Sequence, residues 1–211
     1  MEERAPEDEW IWNTISRCAI AYSCGMICRK TESYPHNHPA EEISLCQRLS
    51  VEASAVMSGH IMYGDEGEHE FLPFYVAANK GVFMPDTLDE DAIRLAFEGT
   101  IYPFAEVVIQ PLSDWVEEAK DFVEQCMEDD HPDFDHSYIF AWNRLIDWFA
   151  QKLELDSPVF VSIDISDSAR RDDPDRSTLD SYNGGCVFPR MAVALTQARS
   201  LVGIFSCVVH T

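Results

Sequence analysis

Histidine and aspartate side chains are concentrated in the short segment 129–136. Two imidazoles and four carboxylates fall within eight residues, a composition that could bind a divalent ion. Carboxylate oxygens favour calcium or magnesium, whereas imidazole nitrogens favour zinc or manganese. The residues are Asp129, Asp130, His131, Asp133, Asp135 and His136. Their spacing matches neither an EF-hand loop nor the His-Glu-x-x-His sequence of zinc peptidases. The alternative is a solvated turn in which Asp135 or Ser137 caps the next helix.

Asp164 is a further candidate for metal chemistry because it ends a predicted apolar strand. Carboxylates at the carboxyl ends of such strands often hold metals or act as acid–base groups. One functional hypothesis is therefore a metal-dependent hydrolase, in which a divalent ion activates water. Its ligands would be drawn from His131, Asp133, Asp135, His136 and Asp164. The alternative is an exposed loop whose charges neutralise one another, because three arginines at 170, 171 and 176 follow Asp164.

A second concentration of charge lies on a predicted helix just before this segment. Between Asp114 and Asp135 there are ten acids, and only Lys120 opposes them. Glu117, Asp121, Glu124 and Glu128 recur at intervals of three or four residues, which places them on one helical face. Such like-charge neighbours cost a few tenths of a kcal/mol per pair. The candidate partner-binding residues are Glu117, Glu118, Asp121, Glu124, Glu128, Asp129 and Asp130.

This acidic row favours a protein that docks onto a basic partner, as an inhibitor, an immunity protein or a nucleic-acid mimic. Long-range attraction would speed the encounter and make binding sensitive to salt. Trp10 and Trp12 are candidate aromatic anchors. The alternative is a solvated helix face in a generally acidic protein, and adaptation to high salt is a third explanation. The binding-protein hypothesis needs no cofactor, whereas the hydrolase hypothesis needs a divalent metal ion.

The overall composition limits the classes of partner. The chain has 211 residues and a formal net charge of −23, from 38 acidic and 15 basic residues. Such a surface repels DNA, RNA and anionic lipid, so we expect neither direct nucleic-acid binding nor membrane binding. No apolar run approaches the roughly 20 residues that span a bilayer. The acidic N-terminus is unlike a signal peptide, and seven cysteines without a CxxC pair indicate reduced thiols in the cytoplasm.

Hydrophobic periodicity predicts the elements that must position these residues. Residues 1–8 are expected to form a mobile acidic tail. Helices are predicted over 9–29, from about 39 to 61, over 88–98, from 113 to about 126, and over 137–154. Strands are predicted over 71–78, where Pro73 indicates either an edge position or a later start of the strand, and over 100–110 and 158–164. Residues 187–196 and 200–209 flank a three-residue turn at 197–199 and predict a β-hairpin.

This element order predicts an α+β fold. We expect a single domain over 9–211, with residues 9–63 as a candidate helical subdomain. Its mixed β-sheet would end in the C-terminal antiparallel hairpin and be covered by about five helices.

Overall fold

The computed structural model describes residues 19–21, 27–29, 39–62, 69–78, 87–97, 101–128, 136–152, 154–166 and 187–209. These residues form four helices and nine strands. The helices are α1 (Ala40–Val56), α2 (Glu90–Phe97), α3 (Leu112–Glu128) and α4 (His136–Ala150). The strands are β1 (Ala19–Ala21), β2 (Ile27–Arg29), β3 (Ile61–Met62), β4 (His69–Glu70), β5 (Leu72–Val76), β6 (Glu106–Pro111), β7 (Val159–Asp164), β8 (Val187–Leu195) and β9 (Leu201–Val209). The predicted α+β class is confirmed.

Five strands form the main sheet in the order β5-β9-β8-β7-β6. Every neighbouring pair is antiparallel, so the prediction of a mixed sheet is wrong. The connection between β6 and β7 shows why. It contains two helices, α3 and α4, and the second returns the chain to the end of the sheet at which β6 stops. The amide of Leu112, at the start of α3, bonds the carbonyl of Pro158 at 3.2 Å, and β7 then begins beside Pro111.

The predicted C-terminal hairpin is confirmed, including its turn. The amide of Arg199 bonds the carbonyl of Thr196, and the amide of Thr196 bonds the carbonyl of Ser200, both at 2.9 Å. Arg199 has a φ of 68°, the left-handed conformation that closes a three-residue hairpin loop. Its guanidinium reaches Asp156 at 2.8 Å, which ties the turn to the segment before β7.

Two of the three prolines in the main sheet, Pro73 and Pro189, occupy positions that need no backbone donor. Pro73 lies in β5, which is an edge strand as predicted. Pro189 lies inside β8, but the pairing of β8 with β7 covers only Arg190 to Val193. Proline lacks an N–H and cannot donate a hydrogen bond to a neighbouring strand. Pro189 therefore lies just outside the part of β8 that pairs with β7.

The two faces of the sheet carry different helices. Phe74 of β5 stacks with Phe97 of α2, with ring centroids 6.3 Å apart. The next residue, Tyr75, is buried in a cluster with Cys46 and Leu49 of α1. Consecutive strand residues point to opposite faces, so α1 and α2 cover opposite faces of the sheet.

Helices α3 and α4 lie on the same face as α1. Trp115 of α3 stacks on Phe160 of β7 at 4.0 Å, and Trp142 of α4 contacts both rings. The strand register places Phe160 on the face of Tyr75. A layer of three helices therefore covers this face, with α1 over β5 and β9 and α3 over β6 and β7.

Three predicted elements differ from the structure. The helix predicted from about 39 to 61 ends at Val56, and Ile61 begins strand β3. The described parts of the predicted helix 9–29 are β1 and β2, which pair as a two-stranded antiparallel sheet, so the described residues contain four helices rather than about five. The predicted strand 100–110 begins only at Glu106. A turn precedes it, in which the amide of Ala105 bonds the carbonyl of Tyr102 at 2.9 Å. Pro103 lies inside that turn and favours it over an extended strand.

The predicted tail at 1–8 lies outside the described residues, and the single domain over 9–211 stays a prediction. Among the helices of the described residues, none is both long and apolar enough to cross a bilayer.

Candidate partner-binding face

Helix α3 owes its orientation to an apolar stripe that faces the protein. Leu112, Val116 and Val123 are buried, and Trp115 packs partly buried between β7 and α4. The stripe repeats at three- and four-residue spacing, so the remaining positions face solvent. Because β6 leads directly into α3 at Leu112, the helix lies over the two strands at this edge of the sheet, β6 and β7.

The solvent side of α3 carries the predicted acidic row. The four acids of this row and the neighbouring Glu118 are all exposed. Glu117 has 71% of its side-chain area in contact with solvent. The α3 acidic face consists of Glu117, Glu118, Asp121, Glu124 and Glu128. The other two predicted residues of the patch, Asp129 and Asp130, lie outside the described residues.

One cation lies among these acids. The ammonium of Lys120 approaches Glu117 at 3.2 Å. The pKa of Lys120 is raised, first by its hydrogen bond to Glu117 and then by Coulombic attraction to Glu117, Glu124 and Asp121. Three carboxylates therefore act on one cation. Within the described part of the chain, Asp121, Glu124 and Glu128 make no ion pair.

Most basic side chains elsewhere on the described surface are matched to acids, although the exposed Arg144 of α4 makes no ion pair among the described residues. Arg48 binds both Glu52 and Glu154, and the remaining pairs show the same local matching. They are Arg94–Glu90, Lys152–Glu52, Arg190–Asp164 and Arg199–Asp156. The α3 acidic face differs from these regions because five exposed acids lie together on one helix, with Lys120 as the cation among them.

The end of α3 makes this excess charge more costly. Glu124 and Glu128 lie near the C-terminus of the helix, and its last turn contains no basic residue. The helix dipole places partial negative charge at that end, so carboxylates there are unfavourable. Solubility alone does not require this arrangement, because the same positions could carry lysine.

A hydrogen bond connects the acidic face to the sheet edge. The side-chain amide of Gln110, in β6, donates to Glu118 at 3.3 Å. One turn after Glu118, on the same flank of the helix, Phe122 is 54% exposed. The flank that faces the sheet edge is therefore partly acidic and partly apolar.

The predicted metal ligands are only partly described. His136 begins α4 and is exposed, with its ring 6.3 Å from that of Phe140. Asp164 ends β7 and bonds the guanidinium of Arg190 at 2.8 Å, so the structure gives this carboxylate an ion-pair partner. His131, Asp133 and Asp135 lie outside the described residues. Among the residues that are described, no group of three side chains is arranged to hold a metal ion, and the metal site stays a prediction.

A buried polar network was not predicted from the sequence. Thr196, which is fully buried, donates its hydroxyl to Glu42 at 2.6 Å. The thiol of Cys46 also approaches Glu42, at 3.5 Å, and Ser200 accepts a hydrogen bond from the amide of Ala78 at 2.9 Å. Thr196 and Glu42 are 154 residues apart, so no local spacing could have indicated the contact.

This network has the residue types of a nucleophilic site but not the required electrostatics. Burial, followed by the charge of Glu42, raises the pKa of Cys46 to about 12. A thiol with that pKa is protonated near neutral pH, whereas the nucleophile is the thiolate. The network therefore fastens α1 to the β8–β9 turn. The candidate anchors Trp10 and Trp12 lie outside the described residues.

Comparison with protein-family models finds none that matches the chain, and comparison with curated proteins finds no similar sequence.

Proposed function

We propose that this protein binds a basic protein through the α3 acidic face and acts as an inhibitor, an immunity protein or a mimic of nucleic acid. The observation that carries the proposal is the concentration of exposed acids on one helix. Five of them lie on the solvent side of α3 with Lys120 as the cation among them, and Asp121, Glu124 and Glu128 have no ion pair in the described part of the chain.

The physics of association supports this role for the face. A row of carboxylates on one rigid helix produces a local negative potential that attracts a cationic surface over several ångströms and raises the association rate. Carboxylates at one-turn intervals also present repeated anions, as a phosphate backbone does. The net charge of −23 adds a longer-range attraction of the same sign, and salt screens both contributions.

The first experiment captures the partner from a lysate of the native host. The full chain is the bait, and bound proteins are washed at low and then at high salt and identified by mass spectrometry. We expect a stoichiometric basic protein that salt releases. A bait that stays empty at low salt would overturn the proposal.

The second experiment locates the contact on the surface. Glu117→Lys, Asp121→Lys and Glu124→Lys are combined in one variant, and association with the captured protein is followed by stopped-flow fluorescence. We expect association at low salt to slow by at least tenfold. The matched control combines Glu41→Lys, Glu70→Lys and Asp91→Lys, which are exposed positions on other elements.

Both variants change the net charge equally, so the comparison separates the α3 acidic face from the overall charge. We expect the control to slow association much less than the α3 variant. Equal rates for the α3 variant and the unmodified protein, or equal slowing in both variants, would show that the face is not the contact.

A further inference from the structure

Strand β6 forms one edge of the five-stranded sheet. Of the strands in the described residues, only β7 pairs with it. An antiparallel edge strand directs the N–H and C=O groups of every second residue outward, and such an edge can accept a further strand. The opposite edge, β5, lies next to β2.

We propose that the outer edge of β6 and the α3 acidic face together bind one extended, basic segment of the partner, which adds to the sheet as a sixth strand. This inference rests on the proposed function and specifies the form of the partner. Backbone hydrogen bonds would supply the pairing, and the flanking side chains would select the sequence.

The geometry brings the edge and the acids together. Gln110 of β6 bonds Glu118 of α3 at 3.3 Å, so a strand added along β6 would run beside this flank of the helix. Val108 shares a sheet face with Gln110, since strand side chains alternate, and Val108 is 42% exposed. Phe122, on the Glu118 flank, is 54% exposed. The flank therefore offers apolar contacts as well as charge.

The ends of β6 define where pairing is possible. Glu106 places a charge at the first position, and Pro111 at the last position has no N–H to donate. Residues 107–110 remain as the segment that can pair.

Charge selects a basic segment over a second copy of this protein. If two β6 edges paired antiparallel around a twofold axis, both copies of α3 would lie on the same face of the joined sheet. Each α3 carries six acids and one lysine, so the two helices would repel each other. A cationic strand instead gains attraction from the same residues.

The two faces of the sheet indicate the pattern of the segment. On the helix-bearing face, alternate side chains of an added strand would meet Glu118 and its acidic neighbours, which favours lysine or arginine. On the other face they would continue the row of Val107 and Ile109, which favours aliphatic residues. The expected partner segment alternates cationic and aliphatic side chains.

The test uses a synthetic seven-residue peptide of alternating lysine and valine, with the full-length protein. A second peptide has the same sequence but N-methylated valines, which keeps every charge and removes alternate backbone donors. Binding is measured by fluorescence anisotropy at low salt. We expect the unmodified peptide to bind at least tenfold more tightly, and to slow hydrogen exchange of the outward-facing amides within 107–110 at least tenfold.

Charge variants complete the test. Glu118→Lys should weaken binding of both peptides, whereas Glu41→Lys, on α1 at the far end of the sheet, should not. If both peptides bind equally and β6 exchange is unchanged, while Glu118→Lys still weakens binding, the strand addition is overturned and the acidic docking face stands. If the unmodified peptide does not bind at all, the strand addition is also overturned. The proposed function fails separately, if reversing the α3 charges leaves association with the captured partner unchanged.

Discussion

Thr196 and Glu42 form a hydrogen bond of 2.6 Å between the end of β8 and the first turn of α1. The amide of Ser200 donates to the hydroxyl of the same threonine at 3.1 Å. Thr196 therefore links the hairpin turn to the helix that covers β5 and β9. Its hydroxyl is fully buried, so neither bond can be replaced by bulk water without opening the contact.

Replacing this hydroxyl tests the link. Thr196→Val keeps the shape of the side chain but removes both hydrogen bonds, and we expect it to lower the free energy of unfolding by about 1–3 kcal/mol. Urea denaturation measures the change. The control is Thr87→Val, at an exposed position, which we expect to leave stability within about 0.5 kcal/mol. Equal effects at the two positions would contradict the contact.

Gly203 tests the close pairing of β8 and β9. A Cβ atom at this position would overlap the carbonyl oxygen of Ala192, so Gly203→Ala must displace backbone. We expect a loss of at least about 2 kcal/mol. Gly59→Ala is the matched control, because Gly59 has a φ of 81° but no atom within 4 Å of the added Cβ. The free energy of unfolding of that variant should fall by only about 1 kcal/mol. A Gly203→Ala variant as stable as the unmodified protein would contradict the register of β8 and β9.

The acids at the end of α3 are expected to lower the stability of the protein and to strengthen its binding to the partner. Glu124→Gln combined with Glu128→Gln removes negative charge from the negative end of the helix dipole, and we expect a gain of about 0.5 kcal/mol per substitution at low salt. The same variant should bind the basic partner less tightly. Glu41→Gln is the control, because Glu41 lies in the first turn of α1, where an acid is favourable, and it should lose stability. Urea denaturation of the three proteins provides the comparison, and a loss of stability at Glu124 and Glu128 would contradict the electrostatic account.

Three cysteines, Cys46, Cys126 and Cys207, should differ in reactivity. Burial raises the pKa of Cys46 and of Cys207 to about 12, so at pH 8 only about one thiol in ten thousand is ionised at either site. Alkylation of the native protein followed by peptide mapping should modify Cys126, which is only partly buried, before the other two. Because the unfolded thiols ionise near their ordinary pKa of 9, stability should also fall as the pH rises above 9. Rapid alkylation of native Cys46 at pH 8 would contradict its burial.

Elements set by neighbouring residues could be predicted from the sequence. The apolar stripe of α3, the strand that begins near Val159, and the turn at Gln197 each depend on a few adjacent positions. The start of β6 was predicted too early because β-branched and aromatic residues near Tyr102 resemble a strand. Only the turn around Pro103 separates the two segments.

Features set by distant residues could not be predicted in this way. The apolar residues around Ile20 recur at helical spacing, yet their placement in β1 depends on pairing with β2 rather than on periodicity. The position of β9 between β5 and β8 likewise depends on tertiary packing. For the candidate site, the acidic row was visible in the sequence. The structure was needed to show that these acids all face solvent and that Asp121, Glu124 and Glu128 have no ion pair among the described residues.

The position of β9 in the sheet has a consequence for how the chain folds during synthesis. This strand follows every other described strand in sequence, yet it lies between β5 and β8, and Ser206 bonds the carbonyl of His69, 137 residues earlier. During synthesis the five-stranded sheet therefore cannot form completely until β9 has left the ribosome. Until then, the edge of β5 that pairs with β9 has no partner strand. Such distant pairing slows folding and exposes apolar strands in the meantime. The strongly negative charge makes incompletely folded chains repel one another, which opposes their aggregation.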